Sequence, residues 1–321
     1  MVPPDVRPIA AVAGPTAAGK TAVVVALRQR FGLPIEVVNF DALQVYRRLE
    51  AGTAKPTPEE RALVPTWLLD VADPTEAWNA AKHQVLADQA IAEVQSRGQW
   101  PVLVGGTGLY LRAILRGLAD IPEVPAAVRA QLAVEHAERG AYALHAELHA
   151  IDPVYAAMTP PQNRQRVLRA LEVYRATGRA FSHYHAQHAA LPDRHACLLT
   201  VLEPPRALLH ARIEARALVM AGPLLAEVQG LLQQGVDRDA PAMQAIGYRE
   251  AVDAVRSDTP VQEFAQQLTA AHKQYAKRQA TWFAKEDAQI RLVTTDDAAL
   301  ARLAERWHAW FQSGQQPTHE R

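Results

Sequence analysis

The chain has 321 residues, 49% of them apolar, enough for one large domain or for a core with a smaller companion. Its 34 basic and 34 acidic side chains cancel, so global charge points to no polyanionic partner and only local clusters can. The single cysteine, Cys197, excludes an internal disulfide framework and a cysteine-rich zinc site and fits a cytoplasmic setting. No secretory-type apolar leader opens the chain, and no uninterrupted apolar run of about 18 residues predicts a membrane span.

Residues 9–13, IAAVA, predict a buried strand, and residues 14–21, GPTAAGKT, follow as a phosphate loop. Gly14, Pro15, Thr16, Ala17, Ala18, Gly19, Lys20 and Thr21 are therefore the candidate polyphosphate site. The glycines let the backbone turn its N–H groups inward, and a helix over 22–30 would face the anion with its N-terminus. Lys20 would set a positive charge on a terminal phosphate, and Thr21 would offer its hydroxyl to a magnesium ion. The motif specifies polyphosphate and magnesium; it does not specify ATP.

Residues 34–40 predict a second buried strand ending at Asp41, where parallel sheets gather functional side chains. That carboxylate could hold magnesium through water, accept a proton from a nucleophile, or merely cap a helix at a strand-to-helix turn. Gln44, Tyr46, Arg47 and Lys55 then offer an amide, an aromatic ring and cations suited to reading a base and its backbone. An edge strand is expected at 67–70 and a helix over 79–97. A third parallel strand at 101–104 runs into GGTGLY at 105–110, whose glycines would present backbone donors to the same cleft, followed by helix at 111–115.

The texture changes at Gly117. A linker at 118–125 leads to helices at 126–139, 142–150, 153–158 and 163–177. This predicts a helical domain, 118–194, inserted into an α/β core made of 1–117 and 195–312, with a disordered tail at 313–321. Arg164, Arg166, Arg169, Arg175 and Arg179 make a basic stretch suited to a phosphate backbone or to solvent. His183, His185, His188 and His195 lack the partners and spacing of a metal site, and their segment reads as loop. A strand at 196–202 rejoins the sheet, and a helix at 205–220 carries Arg212 and Arg216 on one face, able to reach a diphosphate. A further helix is expected at 222–232, a close-approach glycine at Gly247, a cationic helix over 264–285 whose aromatics serve the core, a last strand at 289–293 and a closing helix at 300–311. The fold class is α/β, with a P-loop nucleoside-triphosphate-hydrolase-like core and an inserted all-helical domain.

The ordered set of motifs resembles the tRNA dimethylallyltransferases, also called tRNA isopentenyltransferases. The likeness rests on residues 14–21, Asp41 with QVYR at 44–47, GTAKP at 52–56, LVGGTGLY at 103–110, RVLRALEV at 166–173, RIEAR at 212–216, IGY at 246–248, and YAKRQ with TWF between 275 and 283. The resemblance implies transfer of a dimethylallyl group from dimethylallyl diphosphate to N6 of adenosine 37 in tRNAs reading codons that begin with U. It implies magnesium as cofactor, diphosphate as product, and a phosphate loop holding the prenyl donor rather than a nucleotide. By the same resemblance Asp41 is the general base, and Thr16, Lys20, Thr21 and Arg216 hold the diphosphate. Asp41, Ala42, Leu43, Gln44, Arg47, Thr107, Gln162, Asn163, Arg164, Gln165 and Arg166 then meet the tRNA anticodon stem-loop. A cytoplasmic monomer with no membrane or DNA partner is the accompanying expectation. The chain departs from the family pattern at Asn39, Phe40 and Ala42, at Pro160 to Asn163, and at His272 and Lys273. A small-molecule or nucleotide kinase using ATP, or an RNA-binding ATPase, is the alternative the phosphate loop leaves open.

Overall fold

The computed structural model describes residues 8–313. Its contacts divide the chain into an α/β unit, Met1–Gly117 with Asp193–Arg321, and a helical unit, Leu118–Pro192. In the first, strands β1 (Ile9–Ala13), β2 (Ile35–Asn39), β3 (Thr66–Trp67), β4 (Trp100–Gly105), β5 (Cys197–Leu202) and β6 (Ile290–Leu292) form one sheet in the order β3-β2-β4-β1-β5-β6. Every pairing is parallel. Strands β1, β4 and β5 read as almost unbroken apolar runs because helices cover both faces.

The helices are α1 (Lys20–Phe31), α2 (Pro58–Leu63), α3 (Ala80–Ser96) and α4 (Gly108–Arg116), then α5 (Ala126–Ile151), α6 (Pro153–Ala157), α7 (Arg164–Thr177) and α8 (Phe181–Ala189) in the helical unit, and finally α9 (Arg206–Gln233), α10 (Tyr248–Arg256), α11 (Val261–Phe283) and α12 (Asp297–Ser313). Ala10, Val12, Val102 and Leu198 face α1 and α12, where Leu27, Leu303 and Trp307 pack on them. Ile9, Ala11, Leu103 and Leu199 face α3 and α4 through Ile91, Leu111 and Ile114. A separate core joins α9, α10 and α11 through Leu224, Val228, Tyr248 and Phe264, and takes in Val45 and Leu49 from the segment after β2.

The helical unit has its own core, with Leu132, Leu144 and Leu148 against Val167, Leu171 and Phe181. Its first helix is broken at Gly140, whose φ of 77° and ψ of 170° are not helical. The contact boundary falls after Pro192 rather than after residue 194, because Arg194 returns to the α/β unit. Its N–H donates to Leu115 O at 2.7 Å, and its guanidinium pairs with Asp88 at 2.6 Å.

Three local expectations are corrected. The histidine-rich segment forms helix α8, not a loop, because Phe181 and Tyr184 bury one face and His185 packs on Tyr155 and Phe181. The two helices expected at 205–232 are one: α9 continues through Gly222 and Pro223 because its apolar stripe, Ala217, Ala221, Leu224, Val228 and Leu231, stays in register with one core. That helix is also apolar and long enough to cross a membrane, but its stripe is used in packing. Finally, Gln312 and Ser313 belong to α12, while the rest of the expected disordered tail, 314–321, lies outside the described residues.

Candidate active site

The site lies beyond the C-terminal ends of β1, β2 and β4, where parallel strands hand the chain to loops. Gly14 opens the phosphate loop with φ at 148°, and a Cβ there would lie 2.8 Å from the Leu202 carbonyl oxygen, so only glycine fits against β5. The loop ends at Gly19, and α1 begins with no side-chain cap and no acid in its first turn. Its free N–H groups and positive end are thus left for an anion.

Lys20 curls back over the loop, its Nζ donating to Gly14 O at 3.1 Å and Pro15 O at 2.9 Å. Burial lowers this ammonium to about 8; the Asp41 charge resists the fall and the Arg216 charge adds to it. Arg216, from α9, donates to Thr16 Oγ1 at 2.5 Å. Its Nε is buried without a protein partner, a costly arrangement that an anion would relieve. Burial also lowers the Arg216 guanidinium, against the pull of Asp41. Arg212, four residues earlier, is exposed and makes only a 3.5 Å approach to Ala18 O.

Asp41 sits half-buried at the end of β2. One carboxylate oxygen accepts from Leu43 N at 2.9 Å, and its own N–H donates to Asn39 Oδ1 at 3.0 Å. No helix follows Asp41, so it caps none; its contact with Leu43 closes a short turn, and the same side chain lines a cleft of about 430 Å³ with Thr16, Lys20, Thr21, Arg216 and Tyr275. Burial, and then the Asp41 charge, raise the Tyr275 phenol. The cleft thus combines a backbone cradle with cations, hydroxyls and the Asp41 carboxylate. That set can hold a polyphosphate and receive a proton close to it.

Other predicted residues divide. Ala42 N donates to Thr107 Oγ1 at 3.1 Å, which ties the Asp41 turn to the loop after β4. Gln44 lines the cleft and donates to Thr53 O and Ala54 O, both at 3.1 Å. Arg47 is exposed. Tyr46 and Lys55 are corrected: Tyr46 is buried, and the Lys55 side chain, 2% exposed, is committed to Glu50 and Asp70. The glycines at 105, 106 and 108 also serve packing, and Gly105 lines the cleft. A Cβ on them would meet Phe40 at 2.7 Å, Gln279 at 2.2 Å and Trp282 at 2.1 Å, so they clear space for packing.

In the helical unit, Gln162 donates to Tyr142 Oη at 2.7 Å, and Asn163 caps α7. Arg164, Gln165 and Arg166 are exposed on its first turn. Arg175 leaves the basic stretch, being held by Glu135 and Glu147 at 2.7 Å.

Several residues went unread. Gln279 is buried between the phosphate loop and Gly106. Its signal was a polar residue on the apolar stripe Leu268, His272, Ala276, Gln279, Phe283 of α11. Tyr248 and Glu227 hold the 50–52 turn. His83, fully buried, reaches Asn39 O at 2.9 Å; burial pushes it down to about 4, so it is a neutral brace beneath the Asp41 turn.

Fold and cleft together define a P-loop transferase built around a polyphosphate and a nearby carboxylate. A model of the IPP transferase family matches residues 44–286. A tRNA dimethylallyltransferase of Anaeromyxobacter sp. (strain Fw109-5) is 48% identical over 296 residues, 92% of this chain and 97% of that one. The crystal structure of the full-length tRNA isopentenylpyrophosphate transferase from Bacillus halodurans superposes with a TM-score of 0.69 at 34% identity, covering 96% of this chain and 98% of that one. A eukaryotic dimethylallyltransferase captured acting on tRNA shares the fold at a TM-score of 0.80 and 23% identity, covering 98% of this chain and 81% of that one. The chain belongs to the IPP transferase family.

Proposed function

We propose that this protein transfers a dimethylallyl group from dimethylallyl diphosphate to N6 of adenosine 37 in tRNAs reading codons that begin with U, and releases diphosphate. The observation that carries the chemical part is the meeting of Lys20, Arg216 and Asp41 in one cleft, where the Asp41 charge acts on both cations. The exocyclic nitrogen of adenine is a weak nucleophile because its lone pair is delocalised into the ring. As the C–N bond forms, Asp41 accepts the N6 proton. As the C–O bond breaks, the phosphate-loop N–H groups, Lys20 and Arg216 stabilise the charge gathering on the diphosphate.

The donor set suits a hard divalent cation, because Thr21 brings a hydroxyl oxygen to the cleft and Asp41 could reach the ion through water while staying free as the base. They would hold magnesium, which when bound would offset charge on the leaving group. The exposed first turn of α7, with Arg164, Gln165 and Arg166, supports a grip on the anticodon stem-loop. The base would be extruded at a cost of a few kcal/mol, less in an unpaired loop than in a duplex. The reading also has the chain acting as a cytoplasmic monomer.

The test is direct. The protein is incubated with magnesium, dimethylallyl diphosphate and an anticodon stem-loop, and the RNA is weighed. A prenyl mass gained at adenosine 37 without ATP is the expected result; ATP consumption without that gain refutes it in favour of a kinase or ATPase. Asp41→Asn should lower turnover by about 10²–10⁴-fold while tRNA binding survives.

A further inference from the structure

The two loops that carry this chemistry leave strands that are not neighbours, since β4 separates β1 from β2. A continuous line of hydrogen bonds nonetheless joins them. Thr16 N donates to Gln279 Oε1 at 2.8 Å, and Gln279 Nε2 donates to Gly106 O at 2.8 Å. The next residue, Thr107, accepts from Ala42 N at 3.1 Å, one position beyond Asp41. The Tyr275 hydroxyl lies beside both Thr107 and Gln279.

Gln279 is 4% exposed, and both ends of its amide are engaged. Its orientation is fixed chemically, because one end faces an N–H and the other a carbonyl. Nothing larger than glycine fits at 106, where a Cβ would lie 2.2 Å from the Gln279 nitrogen. Leucine at 279 would fill the space but abandon a half-buried donor on one loop and a buried acceptor on the other.

We infer that Gln279 is a positioning residue that, through Gly106 and Thr107, sets the separation between the diphosphate cradle and the Asp41 carboxylate. The inference rests on the function proposed above. Each loop is held in shape by its own contacts: Lys20 closes the phosphate loop, and Asn39 closes the Asp41 turn. The bridge contributes their relative placement. A base displaced by about 1 Å from the forming C–N bond can cost on the order of 10²-fold in rate.

Gln279→Leu should therefore lower kcat by about 10–100-fold, with KM for prenyl donor and for stem-loop RNA and affinity for inorganic diphosphate each within about threefold of wild type. Thr107→Val should lower kcat over the same range with diphosphate affinity kept, and Thr107→Ser, which keeps the acceptor, should restore kcat. Because both residues lie on one line, the double variant Gln279→Leu with Thr107→Val should fall little below the worse single variant. Gln279→Glu keeps the acceptor for Thr16 N and loses the donor to Gly106 O; it should show the same kcat loss should the leucine variant fail to fold. A wild-type kcat in the Leu or Glu variant would overturn the inference. So would a kcat loss matched by lost diphosphate affinity, or losses that multiply in the double variant. Wild-type protein that fails to prenylate would remove the reaction itself, a failure distinct from normal transfer by the variants.

Discussion

Tyr248→Phe deletes one hydroxyl from a fully buried ring and tests whether a single residue of α10 anchors a wall of the cleft. In the native chain that hydroxyl donates to Glu227 Oε1 at 2.7 Å and accepts from Gly52 N at 3.2 Å. The other oxygen of Glu227 accepts from Glu50 N at 2.8 Å and Ala51 N at 2.9 Å. Burial is the main reason that the phenol is held far above its usual range, with the Glu227 charge next. The hydroxyl thus stays protonated, as this arrangement requires. Removing it forfeits a hydrogen bond to a charged group, about 1.5–3 kcal/mol, and leaves the Gly52 N–H without its acceptor, about 1 kcal/mol or more. Glu227 is only half-buried, so water recovers part of this, and a net loss of about 2–3 kcal/mol is expected. Urea unfolding should show a lower midpoint with an unchanged slope. The freed turn continues into Thr53, Ala54 and Pro56 of the cleft, so kcat/KM should fall as well. A stability loss under about 0.5 kcal/mol would refute the anchoring argument, since an unpaired buried donor costs more than that.

Further outcomes follow from charge. Lys20 titrates near 8 in the folded protein against an ordinary lysine value of 10.5, so between these values the unfolded chain binds the extra proton and stability from this group rises with pH. Binding of inorganic diphosphate restores the charge; calorimetry at about pH 9 in buffers of different ionisation heat should therefore show proton uptake that Lys20→Arg diminishes, and equal uptake in both proteins would exclude Lys20 as its source. In the helical unit, Arg166→Ala should flatten the salt dependence of stem-loop binding by about one unit of slope with folding unchanged. Arg175→Ala should do the reverse, weakening the unit while leaving the slope alone, because its charge is spent on Glu135 and Glu147.

The strands were legible because burial on both faces makes a parallel strand an unmistakable apolar run, as in residues 9–13 and 101–104. The phosphate loop and Asp41 were legible because their meaning lies in short-range backbone turns at strand ends. Lys55 was misread because its partners, Glu50 and Asp70, are ordinary surface types whose proximity only the fold reveals. Gln279 was passed over because its partner Thr16 lies 263 positions away, and its one local sign, a polar side chain on an apolar stripe, names no partner. The break expected at Gly222 and Pro223 was outweighed by the core that α9 serves on both sides of it. Helix α8 was masked by its histidines, which describe the exposed face better than the buried one.

The order of the strands also bears on how the chain is made. β1 is synthesised first but lies between β4 and β5, and its second neighbour emerges only after the whole helical unit. A nascent chain leaving the ribosome therefore carries an unpaired central edge while residues 118–192, with a core of their own, can already settle. Arg216 and Gln279 come later still, so the young phosphate loop lacks its α9 and α11 partners until those helices have been made. Such distant pairings predict slow maturation, with a window of vulnerability to misassembly that the local helices do not share.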